Sequence, residues 1–158
     1  ERAAAEVRLG ELATAALDFQ RASDVAESEL LRLRGLYGAA LASERQGDLP
    51  AAFVLLDRAL AAKLPLSHYP SADPLEVPGG FSPEFELEYV RGLAELAVGR
   101  RASDVAERRR AYAEAAAHFN GYLAAAPASE PWLDHARRLR ERAEAELHQL
   151  PALKHTRK

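Results

Sequence analysis

The feature that most constrains the fold of this chain is an internal repeat with an offset of 37 residues. Gly10-Glu11-Leu12 matches Gly47-Asp48-Leu49. After each glycine, a small residue, a large apolar residue and a second small residue follow at steps of five, four and three: Ala15, Phe19 and Ala22 in the first copy, and Ala52, Leu56 and Ala59 in the second. Small residues at helical spacing permit close approach of two backbones, and a glycine at a helix C-terminus permits a tight reversal. The repeat therefore predicts stacked antiparallel helix pairs.

A third copy of the pattern is longer. Residues 37–42 match residues 89–94, and Gly47 matches Gly99 at the same offset of 52. The later steps recur at Ala115, Phe119 and Tyr122, and Pro127 ends that helix. Gly99 precedes Ala115 by sixteen residues where Gly47 precedes Ala52 by five. The eleven extra residues are about three helical turns. We therefore predict a longer helical hairpin whose helices keep the same sides towards each other.

The apolar spacing predicts seven helices, at about 1–9, 11–25, 27–46, 48–63, 82–98, 102–126 and 129–149. Gly121 falls inside one of them, which predicts a close contact with a neighbouring helix. In the last helix we expect Ser129 to be the N-cap. That helix carries one apolar stripe and an opposite charged side, the pattern of a helix that caps an array. The stripe consists of Trp132, Ala136, Leu139, Ala143 and Leu147.

Residues 34–65, RGLYGAALASERQGDLPAAFVLLDRALAAKLP, resemble a tetratricopeptide repeat, a helix-turn-helix unit of about 34 residues with small contact residues and a closing Pro. Leu36 and Ser43 stand where that family usually has Trp and Tyr. The resemblance implies an all-α fold, a short right-handed α-solenoid of antiparallel helix pairs with a C-terminal capping helix. It implies one domain over residues 1–150, composed of a half repeat (1–25), a repeat (27–65), an expanded repeat (82–127) and the capping helix (129–149).

The resemblance also implies a binding face, because the first helix of each pair lines a concave groove in this family. The corresponding residues are Arg34, Tyr37, Leu41, Glu44 and Arg45 in one repeat, and Glu86, Tyr89, Leu93 and Leu96 in the next. One hypothesis is a scaffold that binds a peptide or another protein through this face. In the alternative, these side chains pack between repeats, and the chain is a structural spacer or oligomerisation module of a larger polypeptide.

Residues 65–81 are predicted to form a long loop, because four Pro residues and Gly79-Gly80 break the helical pattern. Its apolar residues favour a structural role. Contact with a partner through His68 and Tyr69 is the alternative. One His and two carboxylates on such a loop lack the spacing of a metal site, so we predict no metal.

Five arginines, Arg100, Arg101, Arg108, Arg109 and Arg110, cluster near the expanded hairpin, and residues 151–158 form a basic tail that we expect to be flexible. Asp104 and Glu107 dilute this charge, and the net charge of the chain is −3. We therefore interpret the cluster as a solvated helix face and expect no nucleic-acid partner.

Catalytic motifs are missing from the sequence. The chain has no Cys, no Gly-rich phosphate loop with Lys and no GxSxG, and its five His residues are scattered, so we predict neither an enzyme nor a cofactor. No apolar stretch approaches the roughly 18 residues of a membrane span. The chain begins within a helical pattern, so any targeting segment is expected upstream. Richness in Ala and Arg is typical of a GC-rich bacterial genome.

Overall fold

A computed structural model describes residues 11–61 and 85–151. Within these ranges the chain forms six helices and no strand, which confirms the all-α class for this part of the protein. The helices are α1 (Leu12–Asp24), α2 (Glu29–Arg45), α3 (Leu49–Ala61), α4 (Phe85–Arg101), α5 (Val105–Ala125) and α6 (Leu133–Gln149). The predicted helix over 1–9, the predicted loop over 65–81 and residues 152–158 of the predicted tail lie outside the described residues.

The chain divides into two compact units, with the boundary between Leu87 and Glu88. The first unit contains α1, α2, α3 and the first three residues of α4. The second contains the rest of α4 together with α5 and α6. The repeat boundaries expected from the sequence stay predictions.

In the first unit, two glycines of α2 allow α1 to approach closely. A Cβ atom at Gly35 would lie 2.7 Å from Ser23 Cβ, and one at Gly38 would lie 2.5 Å from the Phe19 ring. At the other end of this pair, Gln46 Nε2 donates to the carbonyl oxygen of Leu12 at 3.1 Å. The end of α2 therefore lies beside the start of α1, so the two helices are antiparallel.

The turn between α2 and α3 confirms the reversal predicted at Gly47. Gly47 has φ of 87°, a left-handed conformation that glycine adopts without steric cost. Asp48 Oδ1 then accepts a hydrogen bond from the Ala51 backbone N–H at 2.9 Å and caps the start of α3. Pro50 lies in the first turn of α3, where its missing N–H leaves no helical hydrogen bond unmade.

The core of the second unit is aromatic. The Tyr89 ring meets Phe119 edge to face at 5.6 Å between centroids, and Tyr122 at 5.0 Å. A Cβ at Gly92 would lie 2.8 Å from two atoms of the Phe119 ring, so the glycine makes room for that ring between α4 and α5. Gly121 faces Glu88 on α4, which confirms the close helix contact predicted from its position.

Gly99 does not act as a second Gly47. It lies inside α4, where a Cβ would be 2.6 Å from the Tyr112 ring, and this helix continues to Arg101, three residues beyond the predicted end near 98. A contact with α5, and not a turn, explains the glycine. The connection after α4 has three residues, 102–104, as does the connection 46–48 after α2. The eleven extra residues lengthen the helices instead. Compared with α2, α4 is extended by four residues at its end, and compared with α3, α5 is extended by seven residues at its start.

Helix α6 packs against α5 through the predicted apolar stripe. Ala136, Leu139 and Ala143 are buried, while Trp132 and Leu147 at its ends are half-buried. The prediction that Ser129 caps this helix is wrong, because α6 begins at Leu133 and its N-cap is Trp132. The residues before α6 form a turn in which the Glu130 backbone N–H donates to the Pro127 carbonyl oxygen at 2.9 Å. The opposite side of α6 is exposed and charged, with Arg137, Arg138, Glu141 and Arg142.

Candidate functional site

The predicted binding residues on α2 are largely buried in the first unit. Tyr37 is 0% exposed, and Leu41, Glu44 and Arg45 are also buried. Arg34, one turn earlier, is half-buried, and burial lowers its pKa from the ordinary value of a guanidinium. Four of these five side chains therefore offer little surface to a ligand.

The predicted binding residues on α4 are buried as well. Tyr89 is 0% exposed, and Leu93 and Leu96 are nearly as inaccessible. Tyr89 contributes to the aromatic core of the second unit through the contacts described above. Glu86, in the first turn of α4, is 7% exposed and belongs to the first unit.

Two of the predicted residues form a buried ion pair. Arg45 Nη2 donates to Glu86 Oε2 at 2.5 Å, and the side chains are 2% and 10% exposed. Charges removed from water in this way require partners, because desolvation of an isolated charge costs several kcal/mol, as an order of magnitude. The pair joins the end of α2 to the first turn of α4, so its geometry indicates a structural contact.

A polar seam between α4 and α5 was not predicted from the sequence. Its residues lie at helical spacing on facing sides of the two helices: Glu88, Arg91 and Glu95 on α4, and Arg110, Glu114 and His118 on α5. At one end, Glu88 contacts His118 Nδ1 at 2.9 Å and accepts from Arg91 Nη1 at 3.2 Å. His118 therefore has a specific partner across the two helices.

The other end of the polar seam contains a carboxyl group with an altered pKa. Burial raises the pKa of Glu95, Arg110 at 3.6 Å opposes the rise, and the charge of Glu114 adds to it. Arg110 also donates to Glu114, and this hydrogen bond raises the pKa of Arg110. These carboxylates thus face cations of their own seam. Among the residues that the structure describes, no three His, Asp or Glu side chains converge to hold a metal ion.

The basic cluster is partly engaged in structural contacts. Arg109 Nη1 donates to the carbonyl oxygens of Leu150 and Pro151, at 3.1 and 3.4 Å, and so holds the end of α6 against the start of α5. Arg110 belongs to the polar seam, whereas Arg100 and Arg101 are exposed. The prediction of no nucleic-acid partner stays a prediction.

A further surface, on the outer sides of α1 and α3, is apolar and exposed. Leu17 on α1 is 54% exposed and Val54 on α3 is 61% exposed. The offset of 37 residues that aligns the repeats also aligns these two positions. The repeat could have pointed to this pair, but the side of each helix that faces solvent becomes evident only once the partners of α1 and α3 are known.

Residues His68 and Tyr69 of the predicted loop lie outside the described residues. Over the described ranges, 11–61 and 85–151, no helix combines the length and apolarity needed to cross a membrane. No family model, no curated protein and no solved structure matches this chain.

Proposed function

We propose that this chain is a structural helical-repeat module of the tetratricopeptide kind, without catalytic activity of its own. In this proposal it acts through protein–protein contacts made by exposed helix faces, and it holds no peptide among the predicted groove residues. The observation that carries the proposal is the burial of the predicted anchors, since Tyr37 and Tyr89 are both 0% exposed.

Burial bears on function because a binding anchor must reach its partner. The residues that dominate a protein interface are large side chains that the partner desolvates, whereas Tyr89 is already covered by Phe119 and Tyr122 within its own unit. The repeat itself supports the tetratricopeptide kind of architecture. A left-handed Gly47 closes the α2–α3 turn, and small residues lie where α1 meets α2.

Replacement of Tyr89 by Ala separates the two hypotheses. If Tyr89 is a core residue, Tyr89→Ala removes its contacts with two aromatic rings and lowers the free energy of unfolding by about 3–5 kcal/mol. Tyr89→Phe keeps the ring and serves as the matched control, with a loss of about 1 kcal/mol. Urea denaturation followed by circular dichroism measures both. Tyr37→Ala, measured in the same way, extends the test to the first unit.

The peptide-binding hypothesis predicts the opposite pattern. It requires that Tyr89→Ala and Tyr37→Ala leave the unfolding transition unchanged and abolish recovery of a partner in affinity capture. That outcome would contradict the proposed function, because it would show that both rings are available to a ligand and dispensable for the fold.

A further inference from the structure

In the part of the chain that the structure describes, the large exposed apolar side chains are concentrated on one unit. Among the described residues, four large apolar side chains are more than half exposed, and all four, Leu17, Val25, Leu31 and Val54, lie in the first unit. Two of them, Leu17 and Val54, lie in the middle of α1 and α3, whereas Val25 and Leu31 flank the α1–α2 turn. We call the surface that Leu17, Arg21 and Asp24 of α1 form with Val54 and Arg58 of α3 the outer face.

The outer face repeats itself with the period of the chain. Leu17 precedes Arg21 by four residues, as Val54 precedes Arg58, and the two pairs are separated by 37 residues. Residues four apart share one side of a helix. Each helix therefore presents an apolar residue followed, one turn later, by an arginine.

Helices α1 and α3 present these residues side by side. Both run opposite to α2, α1 through the contacts described above and α3 through the three-residue turn 46–48. At their C-terminal ends, Arg58 Nη2 lies 3.6 Å from Asp24 Oδ1. Val54 lies about 6 Å before this bridge along the helix axis, and Leu17 about 10 Å before it. The positions of the two apolar residues along the parallel helix axes therefore differ by less than one helical turn.

The charges of the outer face carry both signs. Arg21 lies 3.5 Å from Asp18 on α1, and Arg58 lies 3.6 Å from Asp24. The exposed fractions of Arg21, Asp24 and Arg58 are 77%, 67% and 54%. With Asp18 counted, this surface carries two arginines and two aspartates, so a partner with charge of a single sign would meet as many like charges as opposite ones here. A partner that itself carries both signs in this arrangement would not.

We propose that the outer face binds a second copy of this chain, a proposal that rests on the proposed function and names its partner. Consider a two-fold axis that lies in the interface, parallel to α1 and α3 and midway between them. Rotation about this axis places each residue of α1 opposite the residue of α3 in the second copy that has the same position along the helix axis. Such an axis brings Leu17 against Val54 of the second copy, and Asp24 against Arg58 of the second copy. Each contact occurs twice, as an isologous interface requires.

The size of the outer face sets the expected strength of this dimer. Two helices of 13 residues are each about 20 Å long, so each copy contributes on the order of 400 Å² of contact. The total is below the roughly 1,200–2,000 Å² of a stable interface. We therefore expect a weak dimer, with a Kd on the order of 10–100 µM.

Analytical ultracentrifugation of the full chain, from about 1 to 500 µM, tests the proposal. The expected result is a weight-average mass that rises with concentration towards that of a dimer. Leu17→Ser combined with Val54→Ser should weaken association about tenfold or more. Both side chains are exposed, so the unfolding transition of the diluted variant should match that of the wild type, as a check that it folds.

Charge reversal provides the specific test of the two-fold arrangement. Asp24→Arg places an arginine against Arg58 of the second copy, and Arg58→Asp places two aspartates together, so each single variant should weaken the dimer. The double variant restores opposite charges across the axis and should recover association. A wild-type chain that stays monomeric throughout, or a dimer that these variants leave unchanged, would overturn the inference. Neither result touches the proposed function, which the Tyr89→Ala denaturation decides separately.

Discussion

At the scale of single residues, the glycines show how one residue type serves three different purposes. Gly47 supplies a left-handed backbone at a turn, with open space around it. Gly92 and Gly99 lie in regular helix and make room for aromatic rings from α5. Gly121 lies in helix against the side chain of Glu88, whose far end can move. The sequence predicted the contact at Gly121, but it could not distinguish Gly47 from Gly99, because both follow matching apolar stretches of sequence at the same spacing.

Two of these glycines should respond in opposite ways to the same substitution. Gly92→Ala places a methyl group 2.8 Å from the Phe119 ring, and overpacking of this kind costs about 1–3 kcal/mol of the free energy of unfolding. The gain in helix propensity, about 1 kcal/mol, offsets part of that loss. Gly121→Ala meets only the Glu88 side chain, with Oε2 at 3.0 Å and two of its carbons at 3.5 Å, so the propensity gain should dominate and leave the protein as stable or more stable. Urea denaturation of both variants checks the prediction, and equal destabilisation by the two would contradict it.

At the scale of the helices, the sequence identified the elements more reliably than it identified their ends. All six described helices overlap predicted ones, because apolar spacing reports which stretches can bury a stripe. The start of α6 was predicted too early because Ser129 has the chemistry of an N-cap. In the structure Pro127 and Glu130 form a turn, and the helix begins only at Leu133. The polar seam was also missed. Its residues have helical spacing on both helices, but only the antiparallel alignment of α4 with α5 brings Glu88 to His118 and Glu95 to Arg110.

The polar seam should make stability depend on pH through Glu95. Its pKa in the folded protein is raised by burial, so the folded state favours the protonated carboxyl. The resulting contribution to stability is present below the ordinary carboxyl pKa and is lost as the pH rises through the raised pKa of Glu95. Glu95→Gln keeps a neutral side chain at every pH. Relative to this variant, the wild type should therefore lose free energy of unfolding as the pH rises from about 4 towards neutrality.

Denaturation of both proteins at a series of pH values measures this difference. Glu141→Gln, on the exposed side of α6, is the matched control for the general effect of replacing a glutamate by glutamine. A difference between wild type and Glu95→Gln that stays constant with pH, or that rises towards neutrality, would show that burial does not control this carboxyl group.

At the scale of the whole molecule, the sequence left one question that periodicity cannot answer. It placed Tyr37, Tyr89 and their neighbours together on one side of their helices, but a line of large side chains can face either a groove or a core. Only the elements packed against that side distinguish the two, and the structure covers both tyrosines completely. The same reasoning applies to Leu17 and Val54. Periodicity does not show which side of α1 or α3 is covered, so the exposure of these two side chains follows only from the packing.

The buried contact between Arg45 and Glu86 is a long-range consequence of this packing, since it joins residues separated by 41 positions in the chain. Its energetics should depend strongly on whether one or both charges are removed. Arg45→Met alone leaves the Glu86 carboxylate buried without its arginine, and the expected loss is about 3–5 kcal/mol of the free energy of unfolding. Arg45→Met combined with Glu86→Leu removes both charges and should recover most of that loss, because an apolar pair of similar size escapes the desolvation cost.

A double-mutant cycle by urea denaturation, with Glu86→Leu alone as the fourth corner, measures the coupling directly. Strong coupling would mean that the pair specifies how the end of α2 meets the start of α4, since each charge is tolerated in the interior only beside the other. If the two single losses simply add in the double variant, the contact contributes no specificity. The burial of both groups would then have to be explained by their other neighbours.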